Sequence, residues 1–199
     1  VVLPCGIPNK GLVLNQLSIF WFNQTKNLVL NHLTETVDDV HCLDTYLPAG
    51  SHFPYPSYLS GRSMIVKKVK RIPVECVVRG YLAGSAWAEY QQYGTIYGDP
   101  LVKGLQESQE LPQPLFTPTT KAETGHDQPL STDEMKRLVT EALAEEMKEK
   151  SLAIYSYAQE YARARGIIIA DTKMEFGLDN DKLILIDELL TPDSSRLWD

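Results

Sequence analysis

Cysteine is scarce in this 199-residue chain: Cys5, Cys42 and Cys76 are an odd number with no CxxC spacing. That argues against a disulfide framework and fits a reducing, cytoplasmic setting. Long apolar runs are missing too. The longest, as in Gly166-Ile167-Ile168-Ile169-Ala170, hold about five residues, far short of the ~20 that cross a bilayer. No basic, apolar leader is read at the start, and no membrane association is expected. Positive charge is not in excess: 19 Lys and Arg stand against 26 Asp and Glu, a net charge of −7. A general nucleic-acid binder needs a basic face to release counterions, so none is expected here. Anionic small molecules stay open, because they answer to local charge. There is no internal repeat and no low-complexity tract.

What is present is ordinary globular material. The apolar fraction is 43% and the charged fraction 23%. A chain of this length makes one large domain or two small ones and buries roughly 70% of its unfolded surface. Val1 opens directly on apolar residues and Asp199 follows a polar-aromatic cluster, so the chain is expected to be a piece of a longer protein.

Apolar spacing over residues 11–23 predicts a helix. Residues 45–61 hold three prolines and predict a loop. Strand-like runs follow at 62–70 and 72–79, then a helix over 85–92. Residues 95–130, with five prolines and little periodicity, are expected to form a long loop, functional or disordered. Ser131-Thr132-Asp133-Glu134 has capping-box form, and helical spacing then continues through Ala162 until Gly166. Strands at 167–177 and 182–189 flank a turn near Asp179-Asn180-Asp181. Strands, then long helices, then a hairpin indicate an α+β fold.

The informative signal is charge where a core is expected. A strand sends alternate residues to one face. Ile72, Val74, Cys76 and Val78 make an apolar face, leaving Glu75, Val77 and Arg79 on the other. Asp171, Lys173 and Glu175 share a wholly charged face, opposite Thr172, Met174 and Phe176. That charged run follows an intensely apolar one, which reads as a central strand, so its charges must be paired or face a cleft. Carboxylates beside a lysine suit a magnesium–phosphate site: oxygens hold the hard cation, and the ammonium meets phosphate as a point charge. A hairpin with Glu175 opposite Leu183 places Asp171 opposite Asp187 on that face, which needs a three-residue or bulged turn. A four-residue turn brings Glu188 instead. Asp187 is the expected partner.

Two further stretches look like anion grips. Arg79-Gly80-Tyr81-Leu82-Ala83-Gly84-Ser85 joins an arginine, two glycines and a serine near a helix start, where free N–H groups favour anions. Ser194-Ser195-Arg196 sets hydroxyls beside a guanidinium fork that matches two phosphate oxygens. Together these point to a magnesium–nucleotide enzyme handling a second anionic substrate. The other candidates are weaker. Lys67, Lys68, Lys70 and Arg71 read as a solvated strand edge. His41, Cys42 and His52 lack zinc spacing. His126-Asp127 is open as either a catalytic pair or plain surface. Tyr155, Tyr157 and Tyr161 read as packing.

PVECVVRGYLAGSAW (73–87), LPQPLFTPTTKAETGHD (111–127), GIIIADTKMEFGL (166–178), LIDELLTPDSSRLW (185–198) and GIPNKGLVLNQLSIFWF (6–22) resemble the phosphoribosylaminoimidazole-succinocarboxamide synthase (SAICAR synthetase) family. The resemblance covers nearly the whole chain. It implies an α+β fold of antiparallel sheets with flanking helices, and a kinase-like ATP cleft between two lobes, here divided as residues 1–70 and 71–199. It implies an ATP- and Mg2+-dependent ligase that joins L-aspartate to the carboxylate of carboxyaminoimidazole ribonucleotide through an acyl phosphate. Glu175 and Asp187 match its metal ligands, Lys173 a lysine at the phosphates, and Arg79, Ser85 and Arg196 the ribonucleotide-phosphate grip. Lys67 and Val69 match the segment whose backbone meets adenine; Asp187 also falls on the nucleotide side. Lys121 and Asp127 lie in the family's active-site loop. A homo-oligomer is left open. The family's glycine-containing phosphate loop, of the form GKxRD, and its last helices have no counterpart in these residues. A catalytically incomplete nucleotide-binding fragment or scaffold is therefore the alternative. A protein kinase relative is disfavoured by the absence of HRD and DFG elements.

Overall fold

In the computed structural model, which describes residues 4–121 and 127–199, two long strands form the spine of the molecule. Both are rich in β-branched and aromatic residues, the types that fill a pleated, half-buried surface. Elements run in the order α1 (Lys10–Thr25), β1 (Leu33–Thr36), β2 (Met64–Val66), β3 (Lys70–Tyr81), α2 (Ser85–Tyr93), β4 (Thr95–Ile96), β5 (Asp99–Pro100), β6 (Glu110–Phe116), β7 (Thr119–Thr120), α3 (Thr132–Val139), α4 (Glu141–Arg163), β8 (Ile168–Asp179), β9 (Lys182–Ile186) and β10 (Ser195–Trp198). The main sheet is ordered β10-β8-β3-β6, with β7 also on β3 and β9 also on β8. Every named strand pair is antiparallel. This is the α+β class expected.

The alternation read from β3 is real. Ile72, Val74, Cys76 and Val78 are buried with Met174 and Phe176 of β8 in one apolar cluster. Met147, Ile154, Tyr155 and Ala158 of α4 cover them, and Trp21 and Phe22 of α1 join the same cluster. One face of the sheet is thus sealed by helices, which leaves the other free to carry charge. Tyr155 is a packing residue, as read: its hydroxyl donates to the Ile169 carbonyl at 2.6 Å. Burial pushes the Cys76 thiol up to about 12, and all three cysteines are free.

Several expectations need correction. The β8–β9 register sets Glu175 opposite Ile186 and Asp179 opposite Lys182, leaving only Asn180 and Asp181 in the turn. Both turn residues have positive φ, 49° and 63°, the backbone of a tight two-residue hairpin. Asp171 therefore does not face Asp187, and β9 ends at Ile186 rather than 189. The helix after the capping box is two helices, because Thr140 (φ 114°) breaks it and caps α4 by accepting from Leu143 N–H. The box itself is present: Ser131 accepts from Glu134 N–H, and Glu134 accepts from Ser131 N–H. Residues 95–130 are not a plain loop but contain β4 to β7. Short 3-10 helices, Val40–Tyr46 and Ser57–Leu59, touch or fall in the segment read as loop over 45–61. The strand read at 62–70 is only β2, and β3 begins at Lys70.

Candidate active site

Register makes the site. Across the β3–β8 pair, Glu75 faces Glu175, Val77 faces Lys173 and Arg79 faces Asp171. Residues paired across an antiparallel ladder lie on the same face. On the other side of β8, Arg196 of β10 faces Asp171. A bulge in β3 between Arg71 and Glu75 resets the register, and Pro73, which has no N–H for the ladder, lies inside it. From Asp171 to Asp179 the charged face of β8 extends eight residues, roughly 26 Å at strand rise.

At one end, two arginines share an acid. Arg79 Nη1 donates to Asp171 Oδ2 at 3.1 Å, and Arg196 Nη1 donates to the same oxygen. Arg79 also donates from Nε to Thr117 Oγ1 at 3.0 Å and from Nη2 to Ser85 Oγ at 3.4 Å. Gly84 lies beneath the Arg196 guanidinium and has φ +61°, a backbone conformation that strains any L side chain. The turn before β10 is braced by Thr191, whose N–H donates to Ser194 Oγ at 3.1 Å, and it ties to β8 where Lys173 N–H donates to Ser194 C=O at 2.8 Å. These groups line a cavity of about 270 Å³ floored by Val77, Arg79, Asp171 and Lys173 and walled by the Pro192–Arg196 turn. Larger clefts, about 450 and 420 Å³, lie at Lys26–Leu30 and beside β6. Neither holds the charged strand face, so size alone does not select the site.

Further along the face, two acids share two lysines. Lys121 Nζ is 2.7 Å from Glu75 Oε1 and 2.6 Å from Glu175 Oε1; Lys173 Nζ is 3.1 Å from Glu75 Oε2. Burial works against the Lys121 ammonium, but hydrogen bonds to Glu175 and Glu75 outweigh it and hold its pKa above the ordinary lysine value. Lys121 arrives on this face because Thr119 pairs with Glu75 and alternation brings residue 121 to the same side. Thr120 N–H donates to Gln128 C=O at 2.9 Å, which brings Lys121 and exposed Asp127 next to the same backbone pairing. His126 lies outside the described residues. Beyond Glu175, Val69 packs on Gly177, where a Cβ would meet Val69 Cγ2 at 2.6 Å. Lys67 then pairs with Asp179 at 2.7 Å. Lys67 and Val69 are thus at the far end of the same strand face.

Asp187 stands one residue past Ile186, exposed, with left-handed backbone (φ 62°). His32 is held to the same region, its backbone N–H donating to Leu185 C=O at 3.0 Å, with the Asp187 backbone near its imidazole. Burial lowers the His32 pKa more than the Asp187 backbone raises it. Asp171 was read from sequence on the charged face but given no role of its own, and Glu75 and Thr117 were not singled out as site residues. For the first two the alternation of β3 and β8 carried the signal; Thr117 sits in a segment read as loop and gave none.

A sequence model of the SAICAR synthetase family matches residues 1–199. The chain belongs to the SAICAR synthetase family. Among its relatives, the phosphoribosylaminoimidazole-succinocarboxamide synthase of Thermodesulfovibrio yellowstonii is 56% identical over the whole chain, which spans 65% of that protein. The enzyme of the same name from Elusimicrobium minutum is 50% identical, with 66% of it covered. The chain thus spans about two thirds of the length of these curated relatives. A structure of the Saccharomyces cerevisiae SAICAR synthase complexed with SAICAR superposes with TM-score 0.86 at 46% identity, covering 98% of this chain and 64% of that one. A SAICAR synthetase structure in complex with ADP superposes with TM-score 0.75 at 26% identity, covering 98% and 70%. The SAICAR synthetase fold of this chain follows from both likenesses. No helix among the described residues is long and apolar enough to cross a membrane.

Proposed function

We propose that this chain carries the reacting face of an ATP- and Mg2+-dependent carbon–nitrogen ligase, one that condenses L-aspartate with the carboxylate of carboxyaminoimidazole ribonucleotide to give SAICAR in purine biosynthesis. The observation that carries this reading is the charge order along β8. Two guanidinium groups converge on Asp171, then come Lys173 and Glu175, all on one strand face. The relatives captured with SAICAR and with ADP support it.

Arg79, Ser85 and Arg196 take the ribonucleotide phosphate, since forked donors match two phosphate oxygens. Asp171 keeps both forks aimed. Lys173, with half of its side chain exposed, reaches the transferred phosphoryl group as a point charge. The backbone at Lys67 and Val69 meets adenine, between a lobe of residues 1–70 and one of 71–199. Glu175 and Asp187 would hold Mg2+. The donors fit by chemistry: magnesium takes carboxylate oxygens and is commonly held by one or two of them plus substrate phosphates. When bound it would neutralise charge on the phosphoryl oxygens.

In the proposed sequence the ribonucleotide carboxylate oxygen attacks the γ-phosphorus, the bond to the β,γ-bridging oxygen breaks, and ADP leaves. The aspartate amine then attacks the acyl carbon, loses a proton, and phosphate departs with the acyl C–O electron pair. Lys121, Asp127 and Lys173 are assigned to these reacting groups. The protein's work is positioning and charge stabilisation, as in other phosphoryl transfers. We place the reaction in the cytoplasm.

A second reading, a catalytically incomplete nucleotide-binding fragment, is favoured by the chain's covering only 65% of its relative. The purified chain with ATP, Mg2+, the ribonucleotide and aspartate separates the two. Aspartate-dependent ADP release is the expected result. Ribonucleotide binding without ADP release would establish the fragment reading, and absence of both would overturn the ligand assignments.

A further inference from the structure

Glu75 and Glu175 stand directly opposite one another in the β3–β8 ladder, and both residues are buried, 4% and 8% exposed. Like charges so placed repel. The sheet tolerates them because Lys121 bridges the pair at 2.7 and 2.6 Å and Lys173 adds a third contact at 3.1 Å. The cluster holds two carboxylates and two ammonium groups, so its charge already balances. A divalent cation taking Glu175 would have to compete with a cation already there. Among the described residues, the cation in contact with Glu175 is Lys121. It can leave cheaply: it follows the two-residue strand β7, its backbone is tied by N–H to Pro73 C=O at 3.2 Å, and 29% of its side chain is already exposed.

We propose that Lys121 is a displaceable internal cation, clamping Glu75 to Glu175 until a divalent cation takes Glu175 and then releasing its ammonium to meet an anionic substrate. The inference rests on the metal role assigned to Glu175 above. Its physical content is competition: one carboxylate cannot fully serve both cations, so each weakens the other's hold.

The test uses Mn2+ alone, without nucleotide, on the purified chain, with free Mn2+ read by electron paramagnetic resonance. Lys121→Met removes the competitor and is expected to bind Mn2+ roughly tenfold more tightly. The wild-type chain gives an independent readout that requires no variant to fold. Brief acetylation followed by peptide mass spectrometry should show Lys121 labelled severalfold faster with saturating Mn2+, while exposed Lys26 is unchanged. Unchanged or weaker Mn2+ affinity in folded Lys121→Met, or Lys121 labelling indifferent to Mn2+, would overturn the proposal. Glu175→Gln keeps the two failures apart. If it binds Mn2+ as well as wild type, the metal assignment falls and this inference with it. If it weakens Mn2+ while Lys121→Met gives no gain, displacement alone is overturned.

Discussion

The two ends of the charged strand face use the same chemistry in different proportion. At the arginine end, Arg79 and Arg196 share the single carboxylate of Asp171, which leaves a surplus of positive charge and spare N–H donors. At the lysine end, Lys121 and Lys173 are matched by Glu75 and Glu175, and no surplus remains. Burial differs too. The Arg79 side chain is 6% exposed and that of Arg196 44%, against 29% and 50% for Lys121 and Lys173, so the difference rests on Arg79. A guanidinium stays charged when desolvated and has a rigid fork, so it suits a permanent seat for a phosphate. An ammonium on a flexible stem suits a contact that must be made and broken. One end is built to hold and the other to exchange.

The sharpest way to break this contrast is to remove Asp171. Asp171→Ala strands two guanidinium groups, one of them deep in the sheet, and should cost about 3–5 kcal/mol of unfolding free energy. Urea unfolding of Asp171→Ala beside Asp171→Asn measures it. A loss no larger than that of an exposed pair would mean the arginine end is as loosely held as the lysine end. Next in size is a binding effect. Arg196→Lys keeps the charge but loses the fork, so SAICAR binding should weaken about tenfold with little change in stability. Isothermal titration giving the same dissociation constant as wild type would remove Arg196 from the phosphate grip.

Much of this face was legible in the sequence because strand alternation is a strict period of two. Asp171, Lys173 and Glu175 on one side and Met174 and Phe176 on the other follow from it. What alternation does not give is register, which depends on turn geometry. Asn180-Asp181 is a pair that accepts positive φ, the signature of a two-residue hairpin, and reading it so would have placed Ile186 opposite Glu175. Nor does it show which third strand delivers a partner. Lys121 reaches Glu175 only because the two-residue β7 docks on β3, a pairing without a local signal strong enough to be read. The break at Thr140 was hidden for a similar reason: apolar spacing runs straight through it, and it shows neither the positive φ of Thr140 nor its cap contact to Leu143.

A smaller effect is expected from Glu75→Gln. The amide can still accept from Lys121, the repulsion with Glu175 is relieved, and half-exposed Lys173 returns to water. Unfolding free energy should change by no more than about 1 kcal/mol. If Glu75→Gln costs as much as Asp171→Ala, the two ends do not differ in the way argued.

The smallest effect concerns pH. Lys121 has a folded-state pKa raised above its ordinary value of 10.5. A group raised on folding stabilises the folded state fully while pH is below its unfolded pKa, and that contribution fades as pH climbs through the folded one. The stability difference between wild type and Lys121→Met should therefore be flat through neutral pH and shrink only above about 10.5. Chemical denaturation at a series of alkaline pH values reads it. A difference that shrank between pH 7 and 9 would mean the ammonium is not held by the carboxylate pair in solution. The clamp on Glu175 would then be absent before any metal arrives, and the lysine end would have nothing to exchange.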